Sequence, residues 1–317
     1  MQSKYPLTII ILTFNEEDNI AACLDSVKAV RANRFVVDSY STDRTLEILD
    51  EYNVPYVQHP FDNYSAQRNW SQENEPFDSQ WILHMDAGEI ATPKLVEWMN
   101  EQFDPNVQDI DGYLIARRAI FMGRWIRYGS YHPIYQLRLT RKGTARCEVK
   151  AYDQHFISTG KVVPTPKNAD LEDSVMTNVQ DFTIRHARWA LYEAAETVYN
   201  ESVIQSGELQ AKLLGSPIER RRWFKRNIFQ RVPLFVRSFF YFFYRYFFKW
   251  GFLDGKEGLV FHVLQGFWFR FLVDSIIFEI KQEMEHQSLE EILKQKYGFD
   301  LSLISGKQKM SIEEEAT

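Results

Sequence analysis

The chain has 317 residues, of which 45% are hydrophobic and 25% charged. These proportions belong to folded globular proteins and exclude wholesale disorder. The formal net charge of -6 argues against a nucleic-acid binder, and the two cysteines, Cys23 and Cys147, lack the spacing of a disulfide framework or a zinc motif, which fits a reduced, cytoplasmic setting.

Leu7 to Leu12 is an apolar run, too short for a signal-peptide core and followed at once by acidic residues, so it reads as a first buried strand. A helix follows, with Asn15 expected as its cap, Asp18 in a capping box, and Ile20, Cys23, Leu24 and Val27 on one face. Phe35-Val36-Val37 is the second strand, and a helix from Ser41 or Thr42 turns Leu46 and Leu49 inward. After a strand from Pro55 to Gln58 comes a short helix, Ser65 to Ser71, containing Gln67-Arg68-Asn69. Trp81 to Met85 is a further strand, Thr92-Pro93 opens another helix, and Gly112 to Ala116 is the next strand. This alternation is the signature of βαβ units on a parallel sheet. From Arg117 to Lys167, glycines and prolines punctuate short strand-like pieces, as in loops and a mixed sheet edge. Helix returns from Asp181 to about Ser206, with Tyr192, Ala195, Val198 and Tyr199 at helical spacing.

Composition changes sharply at Glu219. Residues 219–250 are rich in Arg, Lys and aromatic side chains, with Glu219 as the one acid. Arg231, Arg237 and Arg245 interrupt the segment too often for a membrane span, since each charge at mid-bilayer costs roughly 2.5–3.5 kcal/mol. A position in the headgroup region suits both rings and arginines. Gly258 to Ile280 carries His262, Arg270 and Asp274 and reads the same way, although the aromatic stripe of 223–250 also fits a helix-helix core. The expected divisions are a catalytic domain over 1–215, a helical, membrane-interfacial region over 216–304 and a flexible tail over 305–317.

Three apolar strands end in polar groups: Thr13-Phe14-Asn15-Glu16, then Asp38 to Asp43, then Asp86-Ala87-Gly88-Glu89. The carboxyl ends of parallel strands converge on one crevice, the usual ligand site of such sheets. No Gly-x-Gly-x-x-Gly follows the first strand, which argues against a dehydrogenase. Asp43 also reads as a helix-start acid, Cys23 as a core residue, and His155 and His186 as structural.

The ordered set Thr13-Phe14-Asn15-Glu16, Val36 to Thr45, Gln67-Arg68-Asn69 and Asp86-Ala87-Gly88-Glu89 resembles family 2 glycosyltransferases, and within them the subgroup with the β-1,4-glucosyltransferases of lipopolysaccharide core assembly. The likeness continues through Ala116-Arg117-Arg118, Phe121 to Arg127, Leu137-Arg138-Leu139 and Gly251 to Lys256. It implies a GT-A fold, a Rossmann-like α/β sheet that is mostly parallel, and inverting transfer from a nucleotide-diphosphate sugar, UDP being the family expectation. On that likeness Thr13, Asn15, Glu16, Asp38, Arg68 and Asp86 bind the donor, while Arg117, Trp125 and Arg138 lie toward the acceptor. The family pattern has Asp where this chain has Gly88. Either Asp86 and Glu89 hold Mg2+ or Mn2+ together with water and the diphosphate, or metal dependence is weakened or lost. In the relatives a His-Glu pair follows the middle loops; here Tyr152 to Phe156 occupies that place, and Gln154 cannot act as a base. Asp153, Glu172 and Asp173 are the candidate general bases. The expected activity is transfer to a glycolipid or lipid-linked saccharide on the cytoplasmic face of the plasma membrane, by a peripheral enzyme. A nucleotidyltransferase and a degenerate nucleotide-sugar binder are the alternatives.

Overall fold

Leu7–Thr13 (β1) is buried along its whole length although it holds two threonines, so it needs cover on both faces. The computed structural model, which describes residues 5–148, 154–174, 178–202 and 232–301, provides it. β1 lies between Asn33–Asp38 (β2) and Trp81–Asp86 (β4), parallel to both, and Tyr56–Gln58 (β3) pairs with β2. The sheet then turns mixed. β4 is followed by antiparallel Ile134–Arg141 (β8), then Gly112–Phe121 (β6), Asp170–Ser174 (β12) and Glu89–Ala91 (β5). Arg124–Ile126 (β7) and Val162–Pro164 (β11) pair with β6, and Ala145–Cys147 (β9) forms a separate ribbon with Phe156–Ser158 (β10).

Side-chain alternation divides the core between the two faces of the sheet. Ile9, Ile11, Val36, Leu83 and Met85 pack with Ile20 and Leu24 of Ile20–Ser26 (α1), Leu49 of Thr45–Glu51 (α2), and Leu95 and Trp98 of Pro93–Glu101 (α4). Ile10, Leu12, Phe35, Val37 and Ile82 pack on the other face with Trp70 of Tyr64–Glu73 (α3).

Helix starts differ from expectation where loop chemistry intervenes. α1 begins at Ile20, not beside Asn15, because the Asn15 side chain accepts the backbone N–H of Thr42 at 2.8 Å instead of capping. α2 begins at Thr45, where Asp43 accepts the Thr45 N–H at 3.0 Å. α3 is longer than expected because Asn63 caps it through the Ala66 N–H. α4 opens as expected, with Thr92 as cap and Pro93 at its first turn. β6 continues past Ala116 to Phe121, since β12 pairs it as far as Ile120.

The described residues form two compact units, one of residues up to Arg127 with Tyr131–Glu148 and His155–Ser174, the other of Tyr128–Ser130, Gln154 and everything from Asn178 onward. The two compact units part near residue 175. Val179–Ser202 (α5) belongs to the second unit because Ala190, Ala194 and Val198 share a core with Phe269, Val273, Ile277 and Ile280.

The second unit continues with Val236–Phe243 (α6), a π-helical turn at Tyr244–Phe248, a 3-10 turn at Gly251–Asp254, Gly255–Phe261 (α7), a π-helical stretch at His262–Trp268, Phe269–Glu283 (α8) and Leu289–Tyr297 (α9). Gly251–Glu283 is a helical run long and apolar enough, by length and composition, to cross a bilayer. Elsewhere in this unit and within the run the burial is unlike a lipid-facing span: Arg237, Arg245, His262 and Asp274 are buried, whereas Phe240, Phe248 and Trp250 are 66%, 76% and 61% exposed. Asp274 accepts from the Phe235 N–H at 2.8 Å and from Arg237 Nε at 2.7 Å, and Arg245 Nε donates to the Gly129 carbonyl at 2.6 Å. Gly129 has φ +68° and must lack a side chain, since a Cβ there would lie 2.1 Å from the His262 ring. In the Gly251 to Lys256 stretch, Asp254 accepts the Tyr128 N–H at 2.9 Å, a structural task inside this unit. The arginine-rich start of the basic segment, residues 219–231, and the tail from 302 lie outside the described residues.

Candidate active site

The register of β1 settles where the strand-end acids go. Thr13 is paired with Asp38 and Leu12 with Asp86, so both acids sit at one edge of the sheet, two strand spacings or about 10 Å apart. Their environments differ. Asp38 is fully buried, and its carboxylate accepts from the Ser41 N–H at 2.9 Å, from the Ser41 hydroxyl, and from Gln58 Nε2 at 3.0 Å. Asp38 anchors the loop after β2, because the chain returns a serine to it three residues later. Asn15 and Glu16, also expected on the donor, bind that loop: the Asn15 N–H donates to Ser41 Oγ at 2.8 Å and the Glu16 N–H to Thr45 Oγ1 at 2.8 Å. Thr13 lies at the end of β1, and its buried Oγ1 has no hydrogen-bond partner.

Asp86 is the centre of a denser cluster. Arg68 Nη2 approaches its two carboxylate oxygens at 2.9 and 3.1 Å, and Arg138 Nη2 donates to Oδ2 at 3.1 Å. The same Arg138 nitrogen donates to Glu89 Oε1 at 2.8 Å, and Glu89 Oε2 accepts the Asp86 N–H at 2.9 Å. Asp86 keeps 38% of its side chain exposed, against 2% for Glu89. Burial by itself would raise the Asp86 carboxyl, but the two guanidinium groups outweigh it and hold it well below the usual carboxylate range. Glu89 goes the other way. Burial, with Asp86 and Asp173 nearby, outweighs its single arginine and pushes it up to about 7. Arg68 comes from α3 and Arg138 from β8, whose antiparallel pairing sets Leu139 beside Leu83, so Arg138 follows toward the carboxyl end of β4. Expected toward the acceptor, Arg138 is held instead on these carboxylates.

The face of β12 separates two of the candidate bases. Asp173 pairs across with Glu89 and ion-pairs with Arg117 at 3.1 Å. Glu172 points to the opposite face, where Arg118 binds it at 3.1 Å and binds Asp170 at 2.7 Å. Arg117, expected at the acceptor, thus meets Asp173. Trp125 has Arg118 over its ring at 4.4 Å and His132 edge-on at 4.9 Å. His132 Nε2 lies 3.2 Å from Asp170. Asp153 lies outside the described residues.

Residues 8–160 match the model of the family described as glycosyl transferase family 2. This stretch of the chain is thus similar to family 2 glycosyltransferases. It is similar to the lipopolysaccharide core biosynthesis glycosyltransferase LpsC of Rhizobium meliloti, with 27% identity over 154 residues, 47% of this chain and 56% of that protein. An uncharacterized glycosyltransferase of Rickettsia bellii is 26% identical over 203 residues, 63% of this chain and 62% of that one. The chain thus spans roughly three fifths of the length of these curated relatives. Among solved structures, residues 1–349 of S. aureus TarS in complex with UDP are 14% identical, covering 89% of this chain and 92% of that one with a TM-score of 0.38.

The glycosyltransferase domain does not offer the expected cation a ligand set. Glu89 is buried, and both its oxygens already accept hydrogen bonds. Gly88 has no side-chain donor, and no cluster of three His, Cys, Asp or Glu side chains suited to a metal occurs among the described residues. In this structure Glu89 braces Arg138 and the Asp86 backbone.

Sequence reasoning missed His84 in this domain. It is buried against Phe156 at 4.5 Å between ring centroids, neither ring nitrogen has a hydrogen-bond partner, and burial with Arg68 and Arg138 nearby lowers it to about 3. The neutral ring leaves the arginines no cationic rival. The signal was available, since a residue two before Asp86 on a strand shares its face. His132 and Asp170 were also missed, and only the pairing of β6 with β12 brings Asp170 within reach of Arg118.

Proposed function

We propose that the chain transfers a sugar, with inversion, from a nucleotide-diphosphate donor, UDP being the expected nucleotide, to a hydroxyl of a glycolipid or lipid-linked saccharide. The observation that carries this reading is the placement of Asp173 opposite Glu89, on the same face of the sheet and beside the Asp86 cluster. Asp173 is the general base. The acceptor oxygen forms a bond to the anomeric carbon as the bond from that carbon to the diphosphate oxygen breaks, the electron pair leaves with the diphosphate, and the hydroxyl proton passes to Asp173. Base catalysis of this kind is worth roughly 100- to 10,000-fold. Asp173→Asn should therefore reduce transfer by about that factor while leaving donor binding intact. Unchanged turnover in an assay of released nucleoside diphosphate would remove Asp173 from the role, and release of pyrophosphate in its place would favour a nucleotidyltransferase.

The named role of the Rhizobium meliloti relative in lipopolysaccharide core biosynthesis supports a cell-envelope acceptor. The second unit supports a peripheral membrane location, because Arg237, Arg245 and Asp274 are buried while Phe240, Phe248 and Trp250 are exposed, an arrangement suited to lipid. We assign the protein to the inner face of the plasma membrane on that basis.

A further inference from the structure

We propose that Arg68 and Arg138, gathered on Asp86, neutralise the diphosphate of the donor in place of a divalent cation, an inference that rests on the donor reading above. Three observations converge on it. Every carboxylate oxygen of Asp86 and Glu89 already accepts a hydrogen bond, three of the four from a guanidinium and the last from the Asp86 backbone. The position between them, Gly88, brings no donor even though a Cβ there would meet nothing within 4 Å; an acidic side chain was not excluded by lack of space. Two guanidinium groups then converge on the one carboxylate of the cluster that reaches solvent, and one buried nitrogen of each, Arg138 Nη1 and Arg68 Nε, has no hydrogen-bond partner.

This is a device for holding an anion. Asp86 fixes both guanidiniums, and Glu89 also holds Arg138, accepting from its Nη2 at 2.8 Å. Arginine presents planar, forked donors that match phosphate oxygens, and it stays charged at any working pH. As the bond to the sugar breaks, negative charge grows on the departing diphosphate, and cationic donors already aimed at that place stabilise it without reorganising. The tyrosine one turn earlier on α3, Tyr64, lies under Arg68 with its ring 5.7 Å from the guanidinium carbon and limits the directions Arg68 can take.

The test uses the full chain and titration calorimetry with UDP and GDP, in EDTA and in excess MnCl2, together with the electron paramagnetic resonance signal of free Mn2+. The expected result is a diphosphate affinity that agrees within about threefold between the two conditions, with no more Mn2+ taken up by protein plus nucleotide than by nucleotide alone. Affinity weaker by about tenfold or more in EDTA would overturn the inference and leave the donor reading standing. Absence of diphosphate binding in both conditions would remove the donor reading and this inference with it. Arg138→Gln should weaken diphosphate binding by about tenfold or more, and an unchanged affinity in the folded variant would equally overturn it. Should that variant fail to fold, the comparison of EDTA with MnCl2 decides.

Discussion

Charged groups are buried in both units of this protein, and they are used in opposite ways. In the first unit Arg68, Arg138 and Asp86 meet at the edge of a sheet, and more than a third of the Asp86 side chain stays in solvent. In the second, Arg237 and Asp274 are shut away from water at 5% and 1% exposure, while phenylalanines cover the outside. The first arrangement leaves charge unsatisfied where a ligand can complete it. The second completes every contact of Asp274 internally, with the Phe235 N–H, Arg237 and Ser238 as donors, so its role is to hold the start of α6 against α8. A buried ion pair is therefore a sign of function only when its geometry leaves something undone.

That contrast is open to direct attack, and the largest effect on stability should come from the closed pair. Asp274→Ala removes the carboxylate that pairs with a buried guanidinium, and loss of one partner of such a pair costs about 3–5 kcal/mol; urea unfolding should show it, and a shift below about 1 kcal/mol would mean that the pair contributes little to stability. Asp86→Ala should act mainly on turnover. If the carboxylate positions both arginines, transfer falls by about 100- to 1,000-fold, as when a preorganised charge-stabilising group is removed, and the product assay checks it against the folded fraction.

The outer face of the second unit gives a smaller and separable effect. Phe240→Ser with Phe248→Ser should leave unfolding unchanged, because both rings are already exposed, yet weaken co-sedimentation with anionic lipid vesicles, each ring being worth about 1.5–3 kcal/mol if lipid buries it. Binding that survives both changes would reassign this face. The smallest expected effect is a change of slope. Glu89 ionises at about 7 in the folded protein and near 4.3 when unfolded, so the folded state holds its proton more tightly. Its contribution to stability is greatest at low pH and declines as pH climbs through that window. Glu89→Gln should flatten this decline, so that the urea midpoint of the variant gains on the parent between about pH 5 and 8.

Much of the site is readable in the sequence. The strands ending at Asp38 and Asp86, the helix carrying Arg68 and the cap at Thr92 all follow from short-range pattern, because period-two apolar runs and capping chemistry act over a few residues. The roles were less legible. Asp38 looks like a ligand contact until Ser41 and Gln58 are seen to occupy it, and Gln58 comes from the neighbouring strand. Arg138 reads as a residue near an acceptor until the antiparallel placement of β8 beside β4 delivers it to Asp86 and Glu89. Glu172 and Asp173 are adjacent in sequence, and alternation separates their faces, but only the pairing of β12 with β5 shows which face holds Glu89.

The second unit makes the same point about charge. Arg237 and Arg245, which argue against a span when counted along the chain, are folded inward, with a carboxylate and a backbone carbonyl as partners, and that outcome depends on which helices pack together. Local sequence thus determined the α/β class, the strand ends and the family likeness, because those depend on periodicity and on neighbours within a turn. Tertiary structure alone decided which carboxylates are spent on loops and which remain with arginines at an open edge, because electrostatic partners are chosen by distance in space and by access to water, and neither is written along the chain.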